Sequence, residues 1–235
     1  MRMPIDARRP WAALALAAAA AGSLAATSGA QAAALPATVT VSQPCYVFVG
    51  KAAPLVTIAG SGFPASSDID ISDKLGLDDS TTADVNGDFT VTEPAPNPFL
   101  ANPGQKKDTI TAEGFDANGT QYAGSTTTFL SSFEAAFSGS KPAPGLKALE
   151  ERVKWAFSGF PVGSKIWGHY TFKGKLVATQ SFGKASAPCG VLKLKKRAFP
   201  GKPKHRKYKL QIDTKKKYAK KTEPAFKLTL GLTLF

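Results

Sequence analysis

The chain has few of the side chains on which catalysis most often depends. Its 235 residues include two histidines, His169 and His205, and two cysteines, Cys45 and Cys189. The sequence contains no Gly-x-Ser-x-Gly, His-Glu-x-x-His or Cys-x-x-Cys motif and no phosphate-binding loop. These absences exclude the common hydrolase, zinc-protease and nucleotide-binding signatures. We therefore expect a protein that is not an enzyme and that carries no cofactor and no metal.

Long hydrophobic runs are also scarce. The clearest run, Trp11–Ala21, follows a basic segment and precedes Ala30-Gln31-Ala32, a small-x-small cleavage site. This order is typical of a secretory signal peptide, which we predict at residues 1–34. Pro10 directly after Arg8-Arg9 favours Sec export over the twin-arginine route. Since no other window reaches the length of a membrane span, we expect a secreted or cell-surface bacterial protein without a transmembrane segment in its mature form.

Acidic residues are nearly absent from the second half of the chain. Residues 35–150 hold 13 acids and 6 lysines, a formal charge of −7, whereas residues 151–235 hold 21 Lys and Arg and 3 acids, a formal charge of +18. A charge of this size predicts an anionic partner for the second half.

The basic residues of the second half fall into three clusters interleaved with aromatic residues, a composition that suits polyanions. Lysines outnumber arginines by 18 to 3, and a lysine is a hydrated point charge, so we expect no specific nucleic-acid readout. We predict contact with an anionic envelope polymer or surface. Non-specific extracellular nucleic-acid binding, a merely solvated face, and pairing with the acidic half remain open. The predicted polyanion-binding residues are Lys193, Lys195, Lys196, Arg197, Lys202, Lys204, Arg206, Lys207, Lys209, Lys215, Lys216, Lys217, Lys220 and Lys221.

An internal repeat divides the chain at the same place as the charge. Val56-x-Ile58-x-x-Ser61-Gly62-Phe63-Pro64 matches Val153-x-Trp155-x-x-Ser158-Gly159-Phe160-Pro161 in register, at an offset of 97 residues. The Gly-Phe-Pro-x-x-Ser phrase that follows an amphipathic strand, at 62–67 and 159–164, resembles the immunoglobulin-like (Ig-like) modules of secreted bacterial proteins. The resemblance implies β-sandwich modules with binding, spacer or adhesive roles. We expect Phe63 and Phe160 to occupy equivalent buried positions.

Strand signals dominate between these motifs. Short β-branched and aromatic runs, such as Leu55–Ile58 and Ile166–Phe172, alternate with turn residues at roughly ten-residue spacing, as in a β-sandwich. We predict an all-β protein of two tandem antiparallel Ig-like β-sandwich domains. Their predicted bounds are an acidic domain at 35–137, a Pro/Gly linker at 138–151 and a basic domain at 152–235.

The two cysteines are placed one in each predicted domain. In an exported chain an even count favours a Cys45–Cys189 disulfide, which would close a loop of about 145 residues. Two buried thiols, or a cross-link between molecules, are the alternatives that the sequence leaves open. The oligomeric state cannot be inferred from the sequence.

Two motifs leave a catalytic and a metal-binding alternative. His169 would be the base of a hydrolase or transferase whose site lies at the domain interface, but no acid is near it in sequence, so a structural histidine is favoured. Asp84-Val-Asn86-Gly-Asp88 begins like a calcium loop but has Phe89 where the loop needs glycine. Since Asn-Gly is also the preferred hairpin dipeptide, we predict hairpin turns at Asn86-Gly87 and Asn118-Gly119.

Overall fold

The structure is a computed structural model that describes residues 33–98, 100–139, 145–205 and 207–231. The predicted signal peptide therefore lies outside the described residues, except for positions 33 and 34. The described residues form one compact unit. None of the described residues belongs to a helix long and apolar enough to cross a bilayer.

Nine of the described strands form a first module of two sheets. They are β1 (Leu35–Pro36), β2 (Thr38–Val41), β3 (Cys45–Phe48), β4 (Leu55–Ser61), β5 (Asp68–Ser72), β6 (Asp78–Thr82), β7 (Phe89–Pro94), β8 (Gln105–Phe115) and β9 (Gln121–Ser132). One sheet has the order β2-β4-β7. The other runs β1-β9-β8-β5-β6, and β3 also pairs with β9. All pairs are antiparallel except β1 and β3 with β9.

The remaining described strands form a second module. They are β10 (Glu134–Ser138), β11 (Arg152–Ser158), β12 (Lys165–Phe172), β13 (Lys175–Lys184), β14 (Leu192–Arg197), β15 (Lys207–Asp213) and β16 (Phe226–Gly231), with one 3-10 helix at Gly145–Leu149. A three-stranded sheet has the order β10-β11-β14 and a four-stranded sheet the order β13-β12-β15-β16.

The two modules share one strand order. When β1 and β3 are set aside, each module has seven strands. The first, second and fifth build one sheet, and the fourth, third, sixth and seventh build the other. Each pair of sheets encloses its own hydrophobic core. The fold is therefore all-β with tandem antiparallel Ig-like sandwiches, as predicted.

Alternation along the strands places the core. In β5 the two isoleucines are at most 1% exposed while Asp68 and Asp70 face solvent. The second core is more aromatic, with Trp155 and Phe157 of β11 against Phe182 of β13 at ring distances of 4.8 Å. The two modules therefore keep one strand order around cores of different composition.

The repeated motif makes the same contacts in both modules. Phe63 and Phe160 are 5% and 2% exposed, each after a glycine with positive φ at Gly62 and Gly159. In each copy the motif serine donates its hydroxyl to the motif proline carbonyl, Ser67 to Pro64 at 2.8 Å and Ser164 to Pro161 at 2.5 Å.

A second glycine closes the motif in each copy. A Cβ at Gly87 would lie 2.1 Å from the Phe63 carbonyl oxygen, and one at Gly190 would lie 1.6 Å from that of Phe160. Gly87 lies two residues before β7 and Gly190 lies two residues before β14, which are equivalent strands of the two modules. The repeat therefore extends beyond the residues that are identical.

Of the two predicted hairpin turns, one differs from expectation and one forms as predicted. Asn86-Gly87 forms a tight turn, with Gly87 at φ +80°, but it connects β6 and β7, which belong to different sheets. The prediction of a hairpin there is therefore wrong. β6 pairs with β5 and β7 pairs with β4, so the turn joins two sheets that pack on one core. Asn118-Gly119 does form the predicted hairpin, since β8 and β9 pair on either side of it.

The junction between the modules also lies earlier than the predicted linker. β10 falls within 35–137, yet it pairs with β11, and Ala135 belongs to the second core. Packing thus passes from the first module to the second after Ser132. Residues 140–144 of the predicted linker lie outside the described residues.

Candidate polyanion-binding site

A ladder of five cations covers the outer face of the three-stranded sheet in the second module. Strand alternation turns Val153, Trp155 and Phe157 into the core and leaves the intervening side chains in solvent. The same alternation in β14 sends Leu192 and Leu194 inward. We call the exposed set the basic ladder; its members are Arg152 and Lys154 of β11 and Lys193, Lys195 and Arg197 of β14.

Pairing register places like charges opposite one another in this ladder. Arg152 is the partner of Arg197, and Lys154 is the partner of Lys195. Side chains directly opposite in an antiparallel pair are about 5 Å apart at Cβ, and like charges there destabilise the sheet. The flanking strand β10 adds Ala136 and Ser138 to this face, and one acid, Glu134, at its far end. The face is therefore a dense, nearly uncompensated positive surface.

Among the described residues, no ion pair of 4.0 Å or less joins an acid of the first module to a cation of the ladder. Within the described ranges, one contact of 4.0 Å or less joins a basic to an acidic side chain, and it is the buried His169–Asp213 pair. Intramolecular pairing of the two charge blocks, an alternative that the sequence left open, therefore has no direct contact among these residues.

A small hollow lies at one end of the ladder. It has a volume of about 110 Å³ and is lined by Ser138, Gly139, Arg152, Lys154 and Lys195. The Arg152 guanidinium donates a hydrogen bond of 3.1 Å to the Lys195 carbonyl oxygen, which holds the arginine across the two strands. Three cations around one hollow suit a carboxylate, sulfate or phosphate group.

The other predicted basic residues are distributed over separate surfaces. Lys196 has the opposite parity to its neighbours and donates its ammonium to the Ser181 carbonyl oxygen, so it is not part of the ladder. Lys202 and Lys204 lie in the loop before β15, and Arg206 lies outside the described residues. Lys207 and Lys209 point outward from β15. Residues 214–225, between β15 and β16, form a segment that we call the polybasic loop. Its exposed lysines are Lys215, Lys216, Lys217, Lys220 and Lys221.

Buried polar side chains anchor the polybasic loop on the outer face of the four-stranded sheet. His169 and Asp213 are both 0% exposed, with Nε2 of the histidine 3.4 Å from Oδ1 of the aspartate. His169 Nε2 also lies 2.9 Å from the Lys215 carbonyl oxygen, and Asp213 Oδ1 accepts the Lys215 amide at 2.8 Å. Gln211 donates to Asp213 Oδ2 and to the Ala219 carbonyl oxygen, both at 2.8 Å.

His169 thus lies close in space to an acid, Asp213, that is distant from it in sequence. Thr179 Oγ1 lies 3.3 Å from Nδ1 of the same ring, so the imidazole contacts a threonine at one nitrogen and an aspartate at the other. The ring is fully buried and is packed under Tyr218 at 5.6 Å. Its Nε2 is engaged by a backbone carbonyl, which fits a histidine that fixes a loop.

The predicted disulfide is confirmed. Cys45 and Cys189 are bonded, with Cα atoms 5.4 Å apart and 144 residues of separation, so the bond joins the two modules. Beside it, Ser158 donates its hydroxyl to the Ser132 carbonyl oxygen at 2.7 Å. A Cβ at Gly159 would lie 2.7 Å from the Phe133 Cα, so only glycine permits this approach.

The aspartates that begin the two calcium-loop-like motifs, Asp84 and Asp116, accept backbone amides within turns. Asp84 Oδ1 accepts the amides of Asp88 and Asn86 at 3.0 and 2.7 Å, and these amides hold the pKa of the Asp84 carboxyl below its usual value. Asp116 repeats the arrangement with Asn118 and Thr120, both at 2.8 Å. The described residues contain no group of three or more His, Cys, Asp or Glu side chains placed to hold a metal ion.

Comparison with known proteins gives no family. No family model matches the chain, and no curated protein matches it. Among solved structures, the tetra-tandem repeat in the extending region of a large adhesion protein is 14% identical, with 84% of this chain and 49% of that chain covered and a TM-score of 0.32. A structure from a 1.5-MDa bacterial ice-binding adhesin is 13% identical, with 83% and 62% covered and a TM-score of 0.33.

A chaperone is also similar. The CupB2 chaperone of Pseudomonas aeruginosa is 10% identical, with 83% of this chain and 100% of that chain covered and a TM-score of 0.30. The chain spans 49% and 62% of the two adhesin structures. At identities and TM-scores this low, the likenesses carry no argument about function.

Sequence reasoning missed three basic residues that the fold places in sites. Arg152 lies between Glu151 and Val153, Lys154 lies between Val153 and Trp155, and Lys227 follows Phe226 in the last strand. Each is isolated along the chain, so a search for charge runs passes over it. The signal that was present is period-2 alternation, which puts every second residue of β11, β14 and β16 on one face.

Proposed function

We propose that this protein is a non-catalytic binding protein of the bacterial envelope or cell exterior, and that the basic ladder holds a linear acidic polysaccharide. The observation that carries the proposal is the register of β11 and β14, which aligns two like-charge pairs in series. An arrangement that costs stability in the free protein is relieved when an anion lies between the cations.

The spacing of the ladder supports an extended polymer. Outward residues on one strand are two positions apart, or about 6.7 Å, and adjacent strands are about 4.8 Å apart. The five cations therefore form a flat grid and not a pocket, which suits repeated charges along a chain. Lysine positions such charges without reading their chemistry, so little discrimination among acidic sugars is expected.

The composition of this face also favours a polysaccharide over nucleic acid. Aromatic residues of β11 point inward, since Trp155 and Phe157 are at most 1% exposed. Single-stranded nucleic acid is normally held by stacking on aromatic rings in addition to phosphate contacts. Phe137 of β10 is 38% exposed, but it is the register partner of Trp155 and packs against that ring at 5.0 Å, on the face opposite to the ladder. The side chains of β10, β11 and β14 that share the ladder's face include no aromatic ring.

A charge-removal experiment on the whole protein tests the proposal. Fluorescence anisotropy with a labelled heparin fragment at 50 mM salt should show binding that the double variant Lys154→Gln/Lys195→Gln weakens at least tenfold. The matched control is Lys165→Gln/Lys184→Gln, because these exposed lysines are also a cross-strand pair in the second module but lie in the other sheet. Equal losses in both double variants would refute the ladder, and tighter binding of a single-stranded DNA of equal charge would assign the face to nucleic acid.

A further inference from the structure

A cleft of about 580 Å³ opens on the outer face of the four-stranded sheet. This face lies on the opposite side of the second sandwich from the basic ladder, since the inner faces of the two sheets enclose the second core. The volume falls within the range of about 300–1,000 Å³ that is typical of small-molecule sites. We call it the loop cleft; its polar lining includes Thr171, Lys209, Tyr218, Lys220, Lys227 and Thr229.

Strand register brings the polar lining of the loop cleft together. Lys209 of β15 stands between Thr171 of β12 and Thr229 of β16, and Gln211 stands beside Lys227. Lys209, Lys227 and Thr229 are exposed. Three lysines and no carboxylate line the cleft, so an anion that enters it meets only positive charge.

The polybasic loop forms one wall of this cleft, and buried side chains of the sheet fix its backbone by hydrogen bonds. Asp213 and His169 bind the backbone of Lys215, and Gln211 binds the carbonyl of Ala219. Tyr218 and Lys220, on either side of that second anchor, line the cleft. The loop is fixed through buried side chains, so the two residues reach the cleft without an ordering step at binding.

We propose that the loop cleft binds one acidic sugar residue, either a uronic acid or a sugar phosphate. The lysines would take the anionic group, the threonine hydroxyls would exchange hydrogen bonds with sugar hydroxyls, and the half-buried Tyr218 ring would cover the apolar face of the sugar ring. Glucuronate and glucose 6-phosphate share this chemistry, and a direct comparison shows which anionic group the cleft prefers. The site is separate from the basic ladder, because the two lie on opposite faces of the second sandwich.

Isothermal titration of the whole protein with four probes tests this proposal. Glucuronate or glucose 6-phosphate should bind saturably, and at least tenfold more tightly than both glucose, which lacks the charge, and inorganic phosphate, which lacks the ring. Inorganic phosphate binding as tightly as glucose 6-phosphate would overturn the proposal, and so would the absence of saturable binding of both acidic sugars.

Variants localise the binding. Lys209→Gln and Lys227→Gln should each lower the affinity for the acidic sugar about tenfold, as expected for a lost hydrogen bond to a charged group. The matched control Lys216→Gln changes an exposed lysine of the polybasic loop that does not line the cleft and should have no effect. A loss with Lys216→Gln equal to that with Lys209→Gln would contradict the site. Lys154→Gln separates the two proposals, since it should weaken heparin binding and leave monosaccharide binding intact.

Discussion

The disulfide between the modules gives the most quantitative prediction. Replacing both Cys45 and Cys189 with alanine removes a cross-link over 144 residues of sequence. In the chain-entropy model a loop of this length contributes about 5 kcal/mol to the free energy of unfolding at 25 °C, provided that both modules unfold together. Since m-values in urea are about 1–3 kcal/mol per M, the urea midpoint should fall by roughly 2 M or more.

Equilibrium urea unfolding of the oxidised protein and of the double alanine variant measures this effect. Intrinsic fluorescence of Trp155 and Trp167, which lie in β11 and β12, reports on the second module, and far-ultraviolet circular dichroism reports on both. The prediction is a single transition in the oxidised protein and a large downward shift in the variant. An unchanged midpoint would refute the reasoning, because it would mean that the modules unfold independently and that the cross-link constrains neither.

Three further predictions concern single residues. Phe63→Ala and Phe160→Ala should each lower the free energy of unfolding by about 3–5 kcal/mol, and a much smaller effect of one in urea unfolding would contradict their equivalence. Burial, then the hydrogen bond and charge of Asp73, raise the pKa of Asp108 to about 6, so folding favours its protonated form and stability falls as pH rises from about 4 to 6. The free energy of unfolding of Asp108→Asn, measured in urea titrations, should therefore rise relative to that of the wild type by up to about 2–3 kcal/mol between pH 4.5 and 7.5. Equal pH dependence of the two free energies would contradict this. Thr179→Val should leave p-nitrophenyl acetate hydrolysis by the protein unchanged, whereas loss of a measurable rate would establish a catalytic threonine beside His169.

Much of the fold could be predicted from alternation and turns. The strands around Leu55–Ile58 and Ile166–Phe172 carry strong period-2 patterns of large side chains, and the structure confirms both. β6 and β10 were missed for a physical reason. Asp78–Thr82 has no apolar residue, since it is an edge strand, and Glu134–Ser138 carries two alanines where a strand signal needs bulk.

The candidate sites were less predictable, because they depend on register. Three-residue runs such as Lys215–Lys217 look like a binding surface in the sequence, while Arg152 and Lys154 do not. The isolated cations nevertheless become part of a charged surface, because pairing of β11 with β14 brings Arg152 opposite Arg197 and Lys154 opposite Lys195. The His169–Asp213 contact across β12 and β15 is likewise hidden by 44 positions of sequence and follows only from the sheet order.

The slope of binding against salt tests the central claim most directly. If all five ladder cations contact a linear polyanion, log K should fall with log salt with a slope of about −3.5, a loss of about 100-fold between 50 and 200 mM salt. Lys154→Gln/Lys195→Gln removes two contacts and should flatten the slope to about −2, a loss of about 20-fold over the same range. Measured slopes that are the same in the wild type and in this variant would contradict the ladder as the polymer-binding face.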